Sequence, residues 1–408
     1  MAQQTHVPLK LGWSLLGPAF VAAIAYVDPG NVAANISAGS QYGFLLVWVI
    51  VLANVMAGLV QYLSAKLGLV TGRSLPEAVR DNTRTPTRVA YWLQAELVAI
   101  ATDLAEVVGG AIALRLLFGV PLLVGGVTTG VVSLLLLVVQ DRRGQRVFER
   151  VITGLLLVIA IGFLSSLFVK APPAGEFVAG LVPRFHGMES VLLATAMLGA
   201  TVMPHAVYLH SGLARDRHGH PEAGAPRALL LRATRWDVGI AMLLAGAVNM
   251  AMLLVAATNL QGRNHTDSIE GAHAAVRDTL GPTVALFFAI GLLASGLAST
   301  SVGAYAGAMI MQGLLRKSVP LLLRRLVTLI PALVVLAIGV DPSRALVISQ
   351  VVLSFGIPFA LVPLVRLTSN PTLMGVDANH RVTSALGSSV GIVITVLNVV
   401  LIYLTLRG

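Results

Sequence analysis

Asp28-Pro29-Gly30-Asn31 lies in the middle of an apolar stretch, about Leu16 to Ile36, that is long enough to cross a bilayer and carries no other charge. A carboxylate at membrane depth costs several kcal/mol, so such residues usually line a polar pathway. Pro29 removes a backbone donor and Gly30 weakens the helix beside it. The stretch therefore predicts a helix broken at its midpoint. A carboxylate, an amide and freed carbonyls gather at the break and form an oxygen-rich cation site.

The surrounding chain reads as an all-α polytopic membrane protein. Of 408 residues, 56% are hydrophobic and 11% charged, with a mean hydropathy of +0.84; a soluble protein carries about 25% charged residues. Apolar runs near 14–38, 44–70, 89–113, 118–140, 150–170, 189–213, 237–258, 279–313, 321–340, 343–366 and 384–406 read as eleven spanning helices. The run 279–313 is the least defined and has the length for two short helices. Ala23-Ile24-Ala25 mimics a signal-cleavage site, but cutting there would destroy the first span, so no cleavable signal is expected. The absence of cysteine excludes disulfides and thiolate metal ligands.

Charge fixes the orientation. With residues 1–13 as a cytoplasmic segment, the inside segments hold Lys10, Arg73, Arg80, Arg84, Arg88, Arg142, Arg143, Arg146, Arg150, Arg215, Arg217, Arg227, Arg232, Arg235, Arg316, Lys317, Arg324, Arg325, Arg366 and Arg381, which is 20 of the 28 basic residues. The outside segments hold Arg115, Lys170, Arg184, Arg263, Arg277, Arg344 and Arg407. This is the positive-inside pattern, with the N-terminus inside and the C-terminus outside. Splitting 279–313 would put Arg316, Lys317, Arg324 and Arg325 outside, against the trend, so it is kept as one helix. The net charge of +10 is thus topological, faces anionic lipid and implies no nucleic-acid partner.

A second break is expected in the sixth span, at Ala200-Thr201-Val202-Met203-Pro204-His205. Pro29 and Pro204 each lie in the first helix of a five-helix block, 14–170 and 189–366, with 384–406 left as an eleventh helix. Because five is odd, the second block enters the membrane from the opposite side. Interrupted helices at matching positions of inverted halves point to a transport site near the bilayer midplane. Asp28 and Asn31 offer hard oxygens. Met203 offers a soft thioether, which favours transition metals over Mg²⁺ and Ca²⁺. The carbonyls of Ala25 and Ala200, each three residues before a key side chain, add oxygens where the helices unwind. The chain has 11 methionines and most must be packing residues, so only its place beside Pro204 singles out Met203.

Asp28-Pro29-Gly30-Asn31 and Met203-Pro204-His205 together resemble the signature motifs of the Nramp family of divalent metal transporters, in particular its bacterial proton-coupled manganese transporters. The run Ile100-Ala101-Thr102-Asp103-Leu104-Ala105-Glu106 is similar to the family's third helix. The resemblance continues through Leu323-Arg324-Arg325-Leu326 and Ser349-Gln350. It implies a LeuT-type fold of two inverted five-helix repeats plus one helix, and proton-coupled import of Mn²⁺, often with Fe²⁺ and other divalent transition metals. It implies Asp28, Asn31 and Met203 as ligands, with the carbonyls of Ala25 and Ala200 in particular conformations and Gln350 in an occluded one. It also implies a proton route leading away from the metal.

Asp103 and Glu106 share one face of the third helix, and Arg324 and Arg325 open the ninth from the inside. Intramembrane charges of this kind form a relay or a buried pairing. The relay hypothesis is that Asp28 gives up a proton as metal binds and that Asp103 and Glu106 carry it inward. The alternative is a structural salt bridge from Asp103 or Glu106 to Arg324 or Arg325. His205 adjoins the break and suits proton coupling or gating rather than ligation. His210, five residues on, need not share its face, and a lone helical His more often packs or hydrogen-bonds than ligates; His218 and His220 receive no role, and Glu96 and Lys66 are expected to snorkel from their helix ends. The loop Arg215–Arg227 reads as polar and flexible, and the small residues between Ala294 and Gly307 as a packing ridge.

No Gly-rich phosphate loop followed by Lys and Ser/Thr is present, so ATP is not the expected energy source, and no cofactor is expected. Nothing in the sequence demands more than a monomer. A sodium-coupled amino-acid carrier would present half-helix N-termini to a substrate carboxylate, whereas here an acid and a thioether occupy the breaks. An intramembrane metalloenzyme would need several His or carboxylate ligands around an activated water, and no His-Glu-x-x-His motif occurs.

Overall fold

The computed structural model describes residues 17–143, 145–169, 172–262, 268–317 and 319–407. Lys10, Lys170, Arg263 and the proposed N-terminal segment 1–13 lie outside the described residues. The first half runs α1 (Pro18–Ile24), a 3₁₀ turn (Ala25–Val27), α2 (Pro29–Tyr42), α3 (Val47–Thr71), α4 (Leu75–Asp81), α5 (Thr85–Phe118), α6 (Leu122–Arg143) and α7 (Gln145–Val169). The short α8 (Ala174–Ala179) leads into α9 (Gly187–Thr201), α10 (Pro204–His218), α11 (Ala225–Asn259) and α12 (Ile269–Leu280). The chain continues through α13 (Pro282–Leu315), α14 (Leu321–Ile338), α15 (Pro342–Thr368), α16 (Pro371–Met374) and α17 (Arg381–Arg407). No strand occurs among the described residues.

Proline sets many of the starts. Pro18, Pro29, Pro204, Pro282 and Pro342 each occupy a first helical position, where the missing N–H would have had no partner anyway. Gly72 and Gly119 end α3 and α5 at φ 65° and 68°, conformations a side chain would resist.

Among the described residues, eight segments are long and apolar enough to cross a membrane: α3, α5, α7, the α9–α10 unit, α11, α13, α15 and α17. Of the other three expected crossings, α1–α2 is split by its break, the apolar part of α6 is the shorter Leu122–Leu135, and α14 carries Arg324 and Arg325. Within the run 279–313, residues 279 and 280 close α12, and everything from Pro282 onward is the single unbroken helix α13, in keeping with the charge pattern.

The α9–α10 unit is 94% buried along its apolar window and lies at the centre; α17, at 28%, lies at the rim. Around the two broken units pack α3, α5, α11, α13 and α15. Small residues allow the close crossings. A Cβ at Gly68 would overlap the Ser211 backbone of α10, and one at Gly162 would meet the Phe287 carbonyl of α13 at 2.6 Å. The small-residue ridge of α13 packs in the same way, with Gly296 against the Gly110 backbone of α5. Exposed apolar side chains on α6, α7, α14 and α17, such as Val131, Ile161, Val334 and Val399, form the outer face.

The segment 214–236, left as a connection between the expected spans 189–213 and 237–258, is mostly helical. α10 runs on to His218, and α11 begins at Ala225 with Pro226 in its first turn, well before the apolar run that marked its span. Arginines are good helix formers, so these helices continue past the apolar zone that a hydropathy reading detects.

Candidate functional site

At the first break, Asp28 is extended (φ −69°, ψ 168°) and caps α2. Pro29 disfavours helical geometry in the residue before it, so the chain leaves the helix there. Asp28 Oδ1 accepts from the Asn31 backbone N–H at 2.8 Å and from Asn31 Nδ2 at 2.7 Å. Its Oδ2 is buried with no hydrogen-bond partner. The carbonyls freed just before the break are taken up by neighbours: Asn249 Nδ2 donates to Tyr26 O at 2.7 Å, and Ser295 Oγ to Val27 O at 2.5 Å. This accounts for the chain unwinding inside a membrane without leaving those carbonyls bare.

At the second break, Val202 (φ −104°, ψ 58°) and Met203 (φ −62°, ψ 121°) separate α9 from α10, and Pro204 restarts the helix. Asn31 joins the breaks. Its Nδ2 donates to the Ala200 carbonyl at 3.0 Å, and Thr201 Oγ1 reaches its Oδ1 at 3.5 Å. Met203 follows two residues later and is fully buried. Ala25 lies in the 3₁₀ turn that leads to Asp28.

Gln350 on α15 closes the group from the side. A Cβ at Gly30 would overlap its amide, and one at Gly199 would overlap its backbone carbonyl, so Gln350 is wedged between the two broken units. Its Nε2 donates to Ser349 Oγ at 3.2 Å, while Oε1 is buried without a partner. Asp28 Oδ2 and Gln350 Oε1 are thus two unsatisfied buried acceptors at the junction of the breaks. Buried acceptors are normally satisfied, and a cation would satisfy these. Among the described residues no three His, Asp or Glu side chains gather as a chelate, so the donor set here is mixed.

A second polar cluster adjoins the first. His205, in the first turn of α10, faces Thr102 of α5, with 3.4 Å between Nδ1 and Oγ1. One residue on, Asp103 makes a buried ion pair with Arg325. Glu106 Oε2 has no partner and lies beside Gly303 of α13. Arg324 pairs with Glu96 at 3.0 Å rather than with Asp103 or Glu106. Glu96 therefore does not snorkel; the crossing of α14 over α5 delivers a guanidinium to it. Nor does Lys66, which is buried and donates to Asn379 Oδ1 at 2.9 Å. His210 is a hydrogen-bonding residue: it bonds Gln61 Oε1 at 2.6 Å, and Gln61 in turn reaches the Tyr26 hydroxyl.

The sequence reading passed over Gln61, Asn249, Asn35 and Thr201. Asn35 Nδ2 donates to Asn249 Oδ1 at 2.9 Å, which completes a polar belt around the first break. The signal was available: a polar side chain inside an apolar run, the same one that marked Asp28.

Towards the N-terminal end of α1, Asp237 of α11 accepts from the Gly17 and Ala19 backbone N–H groups, both at 3.0 Å, and Glu149 pairs with Arg217 at 3.5 Å. Away from that end, a hollow of about 460 Å³ is lined by Ser37, Gln41, Glu189, Asp341 and Arg344. The Glu189–Arg344 pair spans it at 2.9 Å.

The chain is similar to known proteins along most of its length. Residues 19–404 match the Nramp family model, described as natural resistance-associated macrophage protein-like. The chain is 70% identical over 408 residues to the divalent metal cation transporter MntH of Mycobacterium tuberculosis (strain H37Rv), covering all of this chain and 95% of that one. The structure of the Eremococcus coleocola manganese transporter in complex with an aromatic bis-isothiourea substituted compound is similar at a TM-score of 0.84 and 30% identity, covering 97% of this chain and 88% of that chain. MhsT in complex with L-phenylalanine matches at a TM-score of 0.61 and 12% identity, covering 95% and 98%, a likeness of fold alone.

Proposed function

The chain belongs to the Nramp family, and on that premise we propose that it is a multi-pass bacterial membrane transporter that imports Mn²⁺, with Fe²⁺ and other divalent transition metals, together with protons. The relatives named as divalent metal and manganese transporters support the cargo class. The observation that carries the reading is the junction of the breaks. An unsatisfied Asp28 oxygen and the Asn31 amide bridging to Ala200 meet there, with the Gln350 amide alongside and the buried Met203 opening the second half-helix.

In this reading Asp28, Asn31 and Met203 ligate the metal. The carbonyls of Ala25 and Ala200 join in some conformations, and Gln350 joins in the occluded one. Among the described residues Asn31 Oδ1 is held only by a long contact to Thr201, which a cation displaces. One carboxylate gives moderate affinity, which suits release as well as binding. Metal and proton compete for Asp28. The displaced proton leaves past His205 through Asp103 and Glu106, with Arg324 and Arg325 balancing the acids. Because Asp103 is ion-paired with Arg325, salt bridge and relay describe the same residues.

The topology we propose has eleven crossings, with the N-terminus in the cytoplasm and the C-terminus outside. Segments 14–170 and 189–366 form the inverted repeats, 384–406 the last helix, and the monomer is the working unit. Mn²⁺ uptake into proteoliposomes, challenged with excess Ca²⁺ and Mg²⁺ while internal pH is recorded, tests the proposal. Uptake that resists Ca²⁺ and acidifies the lumen is expected. Uptake without acidification removes the relay, and absence of metal uptake overturns the assignment.

A further inference from the structure

The rim helix α17 is seated on α15 through two glycines: a Cβ at Gly387 would come within 2.8 Å of Val365, and one at Gly391 within 3.6 Å of Leu361. Beside this seam the helices leave a groove of about 400 Å³. Val362, Ile392 and Val396 give it apolar walls, and Arg366 stands at one end. Arg366 is exposed in the last turn of α15 and has no acidic partner among the described residues.

The groove's dimensions are those of one leaflet. From Gly387 to Val396 it follows ten residues of α17, about 14 Å for the nine steps of 1.5 Å between them, close to half of the ~30 Å hydrocarbon thickness. It stops near the middle of α17. A helix of a second copy would need the full length of the seam, whereas an acyl chain needs only this half. Arg366 is the one charged residue among those lining the groove, and a single cation there complements a phosphate.

We propose that this groove binds one anionic phospholipid, its acyl chain along the α15–α17 seam and its phosphate on Arg366. The occupant would clamp α17 to α15, whose Gln350 borders the candidate metal site.

The test is native mass spectrometry of the purified full chain mixed with phosphatidylglycerol or phosphatidylcholine. Phosphatidylglycerol should be retained preferentially. Arg366→Gln should reduce that retention about fivefold, the equivalent of ~1 kcal/mol for one basic group at an anionic lipid. Ile392→Trp fills the groove from an exposed position and should reduce retention of both lipids. Equal retention of the two lipids by the unaltered chain, or no change in Arg366→Gln, overturns the proposal. The chain has no cysteine, so Ile392→Cys reports this face alone. Efficient disulfide dimers of that variant in vesicles would assign the groove to a second copy instead.

Discussion

Gly30→Ala places a methyl group on top of three atoms of the Gln350 side chain, Nε2, Cδ and Cγ. Gln350 is fully buried, and its backbone carbonyl already lies against Gly199, so the side chain has little free space to move into. Overpacking of a tight interior costs ~1–3 kcal/mol, so if the strain falls on the transport-competent state the rate should drop by about fivefold to a hundredfold. Gln350→Ala empties the same space. It gives up one 3.2 Å hydrogen bond to Ser349, and the ligand role proposed for Gln350. We predict that Gly30→Ala is costly in the native background and nearly neutral in the Gln350→Ala background, a coupling of ~1–3 kcal/mol. Initial rates of Mn²⁺ uptake in proteoliposomes, with melting temperatures in parallel, give the four corners of the cycle. Penalties that add to within ~0.5 kcal/mol would refute the wedge, because independent sites add.

Further outcomes follow from the same contacts. Asp28→Ala should abolish metal uptake while the chain stays folded, since it removes the only carboxylate at the break; robust uptake in that variant would sink the site assignment. Met203→Ala should keep some Mn²⁺ transport and admit Ca²⁺ or Mg²⁺ better, so unchanged competition by those ions would return Met203 to packing. Asp103→Asn leaves Arg325 buried and unpaired, which should cost ~3–5 kcal/mol of stability. Adding Arg325→Gln should recover part of it, and equal denaturation midpoints for single and double variants would argue against the pair. Normal proton flux in that double variant would remove the relay. Asp237→Ala uncaps α1, at ~0.5–2 kcal/mol for a lost cap, and should speed labelling of Ala22→Cys by a polar thiol reagent; unchanged labelling would mean that Asp237 does not hold α1 in place.

Both breaks were legible in the sequence because they are covalent facts. A proline inside an apolar run denies the helix a donor wherever the run is placed, and an adjacent Asp or Met marks the gap as chemical. Other features were invisible for equally definite reasons. Hydropathy reports where lipid ends rather than where helix ends, so 214–236 read as a loop although α10 and α11 extend into it. Glu96 looked like a terminal residue because its partner, Arg324, is 228 positions away. Gln61 and Asn249 went unremarked, yet each carried the same warning as Asp28, a polar side chain with no water to bond.

By itself the sequence determined the membrane class, the two points of rupture and the residue types gathered at them. These follow from local composition and from the geometry of proline. Tertiary structure decided which of those groups meet. It paired Arg325 with Asp103 and Arg324 with Glu96, bridged the breaks through Asn31 and Ala200, and wedged Gln350 between Gly30 and Gly199. Such choices depend on how helices distant in sequence cross, and a crossing is set by the close-packed shapes of many side chains at once.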